Sequence, residues 1–534
     1  MTAEYTLVSI LERNALSPAT AGRPAFTQGA EVRTFADLYA NANRFAHALL
    51  ELGVGKGDRV GVLMGNRLEW LEALFAITSI GAVCLPVNVL LTGHDVNTVL
   101  QNGAPRVLIV DEHAQAALHS MTAVPGAVVT VGHVDVPPGI RTHTYKDLLL
   151  FGVEEAPQIA VSGTEPAMIY YTSGTTSAPK AVFHTHQRVL WNAQHQMSDL
   201  ALRDDEKYLV VPSFSWSAGL HHITLAQLWT GGCSEVLPTG SATLKRVVDT
   251  VERAGIARAF LAPTLLKQLA EDHELLERVR VSSLNRVMSG AEPLPPSLVS
   301  YLHQALPSCS ITQAYGMTEM PLIAACIEPG EARAHPASTG RASTIATVAV
   351  RRSDGRVAFE GEGEILLRSP ATTTGYVGNE AATDQAFRDG WFHTGDSGRL
   401  DPSGLLTVTG RTKDVIITGG INLYPSEVEE VILRLPGVVE AAVIGVPDDR
   451  WGERPMAVVV TGASHPLTES EVMRHCARSL SAYKRPSQVL VRTAPLPKTV
   501  TGKILKRGLR AELAGSPQPG ADPPRSDGVP EQST

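Results

Sequence analysis

Cysteine is scarce in this 534-residue chain and poorly placed for chemistry. The five thiols, Cys84, Cys233, Cys309, Cys326 and Cys476, are odd in number and far apart. No C-x-x-C pair occurs, which argues against a zinc site or a disulfide framework, and scattered buried thiols suit a reducing compartment. A basic surplus is also missing. With 46 Lys and Arg against 54 Asp and Glu, net charge is -8, so neither nucleic acid nor an anionic membrane is an expected partner. An anionic ligand would need a local basic site. Long apolar runs are absent too. The most apolar stretch, Ala73 to Val87, is broken by Pro86 and reads as a core helix followed by a strand, not an integral membrane segment. The first residues carry acids early and lack a basic-then-apolar leader. A cytoplasmic protein is the expectation.

What is present is ordinary globular composition, 43% hydrophobic and 19% charged, long enough for more than one domain. Phe35, Leu38, Ala42, Phe45, Ala46 and Leu49 share one face of a helix over 34–52, which Thr34 caps with Asp37 and Gly53 ends. Arg59 to Met64 and Val107 to Val110 read as buried strands, with a helix over Leu68 to Ile77. Strand and helix signals alternate past residue 300, so the fold class is α/β: a large body over 1–410. After the turn-rich Asp401-Pro402-Ser403-Gly404 the pattern restarts. A helix from Ser426, strands over Val438–Val446 and Met456–Thr461, a helix capped by Thr468 with Glu471, and a strand from Gln488 predict a small α+β domain over 411–508. The remainder, 509–534, is expected to be disordered, its Pro/Gly/Ser-rich part beginning at Gly515.

Thr172-Ser173-Gly174-Thr175-Thr176-Ser177-Ala178-Pro179-Lys180 follows an apolar strand. Small hydroxyl residues and glycine allow backbone N–H groups and hydroxyls to approach a polyphosphate, and Lys180 adds a point charge. A plain flexible Ser/Thr loop fits the local composition equally well, and the Walker spacing is absent. Further along come Ser289-Gly290-Ala291-Glu292-Pro293-Leu294, Tyr315-Gly316-Met317-Thr318-Glu319 and Trp391-Phe392-His393-Thr394-Gly395-Asp396. Then follow Gly410-Arg411-Thr412-Lys413-Asp414, a segment from Gly419-Gly420 to Glu427, and Pro497-Lys498-Thr499-Val500-Thr501-Gly502-Lys503. Singly these are unremarkable. An Asp after Thr-Gly is usually a turn residue, a lone Glu319 can cap a helix, and a lysine in a Thr-Gly-Lys loop is more often solvated. Seven in this order, across almost the whole chain to about residue 508, resemble the adenylate-forming superfamily of acyl-CoA synthetases, luciferases and nonribosomal adenylation domains.

The resemblance implies an ATP-dependent acid:CoA ligase with a mobile C-terminal lid. Asp396 would accept both ribose hydroxyls, since a carboxylate offers two oxygens to a vicinal diol. Arg411 would contact the ribose-phosphate part, Tyr315 would lie on adenine, and Gly290, Ala291 and Glu292 would line the base beside Gly316. Thr318 would bond a phosphate oxygen, Glu319 would hold Mg²⁺, and Ser173 to Thr176 with Lys180 would cradle the β- and γ-phosphates. Lys503 would neutralise charge where carboxylate and α-phosphate meet. A hinge at Lys413 would let Gly419 and Gly420 line the tunnel for the thiol of coenzyme A; locally an ordinary hairpin turn explains the two glycines equally well. No covalent enzyme intermediate is needed, in keeping with the absence of a nucleophile elbow or Cys/His signature.

Against the family pattern, Ser177 and Ala181 stand where relatives often have glycine, and Ser215 replaces the usual histidine of Pro-x-x-His. Phe214, Trp216, His221 or His222 could substitute for that ring, while a metal at the two histidines lacks a third ligand. No Asp near Phe214 serves an α-amino group, which counts against an amino acid, and Gly316 stands where acetate-specific relatives have Trp. A pocket of Phe214, Ser215, Trp216, Met288, Ala314, Gly316 and Met320, with Leu220 and Leu322 nearby, suits a medium-chain, alicyclic or aryl acid. Alternatives are an adenylate former that loads a carrier protein and a nucleotide-binding pseudoenzyme; a homodimer is compatible with any of these.

Overall fold

The computed structural model describes residues 4–514 except 92, 123–124, 151, 173–179, 241, 420, 449, 463–465 and 499–503. It divides into two compact units, Met1–Val408 and Thr409–Thr534, the division falling inside the strand Leu406–Arg411.

The large unit is built on two mostly parallel sheets and one antiparallel sheet. The first runs Thr142–Thr144, Ala127–Thr130, Val107–Val110, Arg59–Leu63, Val83–Pro86, Pro166–Thr172 and Lys180–Thr185, parallel until the last strand turns back. The apolar runs Arg59–Leu63, Val83–Pro86, Val107–Val110 and Ala127–Thr130 are buried on both faces, which explains why they show no alternation. The second sheet has nine strands, with Ile256–Phe260, Arg286–Ser289 and Ser310–Met317 parallel neighbours at its centre. There the chain reverses into the antiparallel strand Met320–Cys326, leaving Thr318 and Glu319 as a two-residue turn. The antiparallel sheet holds Gly361–Arg368 beside Trp391–Leu400.

The expected helix is present as Phe35–Glu51, with Thr34 and Asp37 forming a reciprocal capping box and the predicted apolar stripe buried. It packs on Leu68–Ser79, whose Glu72 is fully buried but satisfied: Arg33 Nε and Asn41 Nδ2 donate at 2.8 Å and the Tyr145 hydroxyl at 2.6 Å. A buried carboxylate is tolerated because its lone pairs are used.

In the small unit a five-stranded sheet joins Ile421–Leu423, Ile416–Thr418, Gly452–Thr461 and Val438–Asp448, with Gln488–Arg492 parallel to Gly452–Thr461. Period-2 alternation gives it two apolar faces. Ala441 and Val443 meet the helices Pro425–Leu433 and Glu469–Ser479, while Ala442 and Ile444 meet Leu496 and Leu509. The expectation of disorder from 509 is therefore corrected. The helix Lys506–Ala514 continues past it because Leu509, fully buried, closes the second face. Residues from 515 lie outside the described residues. Among the described residues no helix is long and apolar enough to cross a membrane.

Candidate active site

The antiparallel reversal Ser310–Cys326 carries both ends of the site. At one end Tyr315, in the strand Ser310–Met317, donates its hydroxyl to Asp396 Oδ2 at 2.8 Å, and both residues are buried. Asp396 is held from its own strand: its N–H donates to Thr394 Oγ1 at 3.0 Å, and Thr394 Oγ1 in turn donates to the Ile365 carbonyl at 2.8 Å. The left-handed turn needed just before it falls on Gly395, at φ 70°. The ring of Tyr315 is thereby fixed by the Asp396 carboxylate.

At the other end, two residues past Met317, Glu319 Oε1 accepts from the Tyr376 hydroxyl at 2.8 Å and the Glu319 carbonyl from Thr373 N–H at 2.7 Å. Lys180 Nζ lies 4.5 Å from the centre of the Tyr376 ring. The segment around Tyr376 is pinned to the Lys180–Thr185 strand: Val377 N–H donates to the Ala181 carbonyl at 2.9 Å and Thr373 Oγ1 to the Phe183 carbonyl at 2.8 Å. Lysine, tyrosine and glutamate thus form one chain, a cation beside a carboxylate with an aromatic ring between them. Tyr376 was not among the residues expected from sequence; its signal is the Thr-Gly-Tyr that ends a hydroxyl run. Thr318 Oγ1 is 3.4 Å from Ser217 Oγ, which brings the Pro212–Gly219 segment to the same turn.

The Gly290-Ala291-Glu292 motif lies beside Ala314, next to Tyr315. A Cβ on Gly290 would sit 2.9 Å from the Ala314 carbonyl, so only glycine allows this approach of neighbouring strands. Ala291 is held at φ 70°, a left-handed conformation that costs a non-glycine residue about 1–2 kcal/mol and is characteristic of functional loops. Glu292 follows directly.

The residues expected to form the acyl pocket separate. Phe214, Met288 and Ala314 belong to one buried cluster, and Met320 packs in another with Tyr315 and Phe392. Phe214 is a core anchor, its ring 5.6 Å from Trp70 and its N–H bonded to Asn66 Oδ1 at 2.7 Å. Ser215 Oγ is 2.8 Å from Ser213 Oγ, Trp216 and Gly316 are half-buried, and Gly219 is required because any side chain there would strike the Ser213 carbonyl. His221 and His222 are buried among rings, His221 edge-on to Tyr170 at 5.5 Å and His222 4.6 Å from Phe260. Burial pushes His222 down to about 3 and His221 well below its usual range, so both are neutral imidazoles.

In the small unit Arg411 ends its strand and Lys413 lies in the single turn Thr412–Asp414. Burial lowers the Lys413 pKa, against the pull of Asp414 and with help from Arg411, Arg510 and Arg507. Asp414 is paired with Arg510 at 3.0 Å. Gly419, at φ 58°, opens the turn between Ile416–Thr418 and Ile421–Leu423, and a Cβ there would meet the Trp451 ring at 2.9 Å. Thr172 closes the strand Pro166–Thr172; Ser173, Gly174, Thr175, Thr176, Gly420 and Lys503 lie outside the described residues.

Two family models match the chain, AMP-binding enzyme over residues 11–377 and AMP-binding enzyme C-terminal domain over 427–503. A feruloyl-CoA synthase of Amycolatopsis sp is 34% identical over 504 residues, covering 94% of this chain and 97% of that protein. The long-chain-fatty-acid–CoA ligase FadD13 of Mycobacterium tuberculosis is 32% identical over 488 residues, covering 90% and 93%. Among solved structures, the anthranilate CoA ligase AuaEII in complex with anthranoyl-AMP superposes with a TM-score of 0.87 at 27% identity, over 96% of this chain and 98% of that one. The order of motifs, the two-unit fold and these likenesses agree: the chain belongs to the AMP-binding, adenylate-forming enzymes, within their acyl- and aryl-CoA ligases, and is an AMP-forming acid–thiol ligase.

Proposed function

We propose that this ligase uses ATP to adenylate a medium-chain, alicyclic or aryl carboxylic acid and passes the acyl group to coenzyme A. One observation carries the reading: a single hairpin positions a diol-binding carboxylate through Tyr315 and a phosphate-end carboxylate through Glu319. A carboxylate is a poor acylating agent because its leaving group would be oxide. Attack on the α-phosphorus forms the mixed anhydride and releases pyrophosphate; thiol attack on its carbonyl then expels AMP. The protein's task is mainly positioning and charge compensation.

Asp396 and Tyr315 hold ribose and base, and Gly290, Ala291, Glu292 and Gly316 border them. Thr318, Lys180 and the residues 172–176 take the phosphates. Glu319 with Thr318 is a fitting donor set for Mg²⁺, a hard cation that takes one carboxylate and completes its shell with phosphate and water; bound there, it would offset phosphate charge. Tyr376 keeps the Glu319 carboxylate oriented. From the small unit Arg411 and Lys503 serve adenylation, and Gly419 with Gly420 serves thiol entry after a rotation at Lys413. Met288, Ala314, Gly316 and Trp216 favour acids larger than acetate. The five free thiols, all at least half-buried, support a reducing, cytoplasmic setting.

The test is a panel of carboxylic acids with ATP and Mg²⁺, scored for AMP, pyrophosphate and consumption of free CoA. Acid-dependent AMP together with loss of CoA is expected. AMP formed only when a carrier protein replaces CoA would move the protein to the carrier-loading reading, and no AMP with any acid would overturn the proposal.

A further inference from the structure

A cavity of about 170 Å³ lies against the central sheet of the large unit, away from the hairpin turn. Its floor follows from strand register. Arg258, Arg286 and Ser310 are successive partners across three parallel strands, and Phe260, Met288 and Thr312 form the row two residues on. Side chains two apart in a strand share a face, so the same face continues from Thr312 to Ala314 and Gly316, roughly 13 Å farther along. The cavity is thus in line with the acyl end of the site, with Met288 common to both.

Its two inner arginines differ. Arg258 is paired with Glu206 and donates to the Leu200 and Ala201 carbonyls at 2.9 Å. Arg286 donates only to that same Leu200 carbonyl, at 3.3 Å, and among the described residues no carboxylate pairs with it. A guanidinium has five N–H donors, so most of those on Arg286 are left for another acceptor. The carboxylates of the lining are otherwise engaged or exposed. Asp199 accepts from Thr344 N–H and contacts His195 Nδ1, both at 3.0 Å, Glu331 pairs with Arg341, and Glu328 faces solvent. The lining holds three guanidinium groups and three carboxylates. A tail oxygen that accepts from Arg286 makes a hydrogen bond to a charged donor, stronger than one between neutral groups.

Three side chains stand along this face between the lining and Gly290 on the reading of the register. They are Met288, the Phe260 ring that lies 3.7 Å from where a Gly290 Cβ would stand, and His222 against that ring. Met288 is the one unbranched, flexible member and can clear the way by changing rotamer. Ile223, on the cavity wall, is held at φ 62°, a marked outlier for a β-branched residue and the kind of strain that collects at ligand sites.

We propose that this cavity is the far end of the acyl site, reached past Met288, and that the enzyme's preferred acid is a long or polycyclic one whose tail carries a hydroxyl or keto oxygen received by Arg286. The proposal rests on the acid:CoA ligase reading. The experiment compares kcat/KM, by pyrophosphate release, for length-matched acids ending in methyl, hydroxyl, ketone or carboxylate, alongside a short acid. A preference of about tenfold for hydroxyl or ketone over methyl is expected, as suits one hydrogen bond to a charged donor. In Arg286→Met that ratio falls to about one, and in Arg286→Lys part of it returns. Met288→Trp lowers the long-to-short ratio by about tenfold or more, and Met288→Ala, which cannot obstruct folding by bulk, raises it. Equal rates for methyl and oxygenated tails, a preference untouched in Arg286→Met, or a length ratio unmoved in both Met288 variants overturns the cavity proposal while turnover of the short acid leaves the ligase reading standing. Absence of pyrophosphate release with every acid sinks both.

Discussion

The two units place their candidate functional groups in opposite ways. In the large unit each group is held by a second residue: Asp396 by Tyr315 and Thr394, Glu319 by Tyr376, and the segment of Tyr376 by the strand that begins with Lys180. In the small unit Arg411 lies at a strand end, Lys413 in a single helical turn, and Gly419 in a two-residue turn. The difference teaches that recognition of a nucleotide tolerates, and benefits from, groups fixed before the ligand arrives, because no reorganisation is then needed in the reaction. On the proposed mechanism, groups that act in turn on one carbonyl are suited instead to short connecting elements.

The sharpest break of this comparison is Lys503→Ala. If the small unit contributes by timed approach, this change slows adenylation by about 10²–10³-fold, while transfer from preformed acyl-AMP to CoA is retained. Separate assays of the two half-reactions check it, and equal loss in both would erase the distinction. Asp396→Ala tests the fixed unit. It should lower kcat/KM for ATP by about 10–100-fold, the loss of hydrogen bonds to a charged acceptor, with Tyr315→Phe weaker because only the positioning bond is lost. Steady-state kinetics with ATP and with 2′-deoxy-ATP separates ribose binding from general damage.

A third prediction concerns acid. Burial holds His184 and His222 at about 3 and His186 at about 4, against a usual value of 6.5, and lowers His221 further. Above 6.5 both folded and unfolded chains carry these rings neutral and nothing is gained or lost. Below it the unfolded chain binds protons that the folded one refuses, so stability falls as pH drops from 6.5 toward 3. Each such ring contributes at most about 1.4 kcal/mol per pH unit. Thermal unfolding from pH 7 to 4 reads this slope, and His222→Phe should flatten it. Tyr145→Phe, which removes one bond from buried Glu72, should cost about 1–3 kcal/mol in urea unfolding with KM for ATP unmoved. The smallest effect is expected at the small unit's turn: Arg510→Met leaves Asp414 partly exposed and should cost no more than about 1 kcal/mol.

Much of this was legible in the sequence where local physics decides. Thr34 with Asp37 and Thr468 with Glu471 cap the helices they predict, and the uninterrupted apolar runs at Arg59 and Val107 are buried strands. The hairpin that unites Tyr315 with Glu319 lies within one motif. What was not legible depends on partners distant in the chain. Phe214 reads as pocket wall or core with equal ease, since apolarity does not say which side faces a void; its contact with Trp70, far away in the chain, is not visible in the sequence. Tyr376 is one tyrosine among eleven until Glu319 and Lys180 are seen beside it. Leu509 stands between Leu505 and Leu513 at i, i+4 and i+8, a short apolar stripe whose partners Ala442 and Ile444 come into view once the second face of the small sheet is built.

The reversal at Met317–Met320 sets a fixed span. On the proposed roles, Tyr315, which positions the sugar-side carboxylate, and Glu319 on the phosphate side ride on one stiff ribbon, so the two ends cannot move apart to suit a longer guest. An ATP analogue carrying an extra methylene between ribose and the first phosphorus should satisfy one anchor at the expense of the other. Such an analogue would act as a feeble competitor however well its base is accommodated.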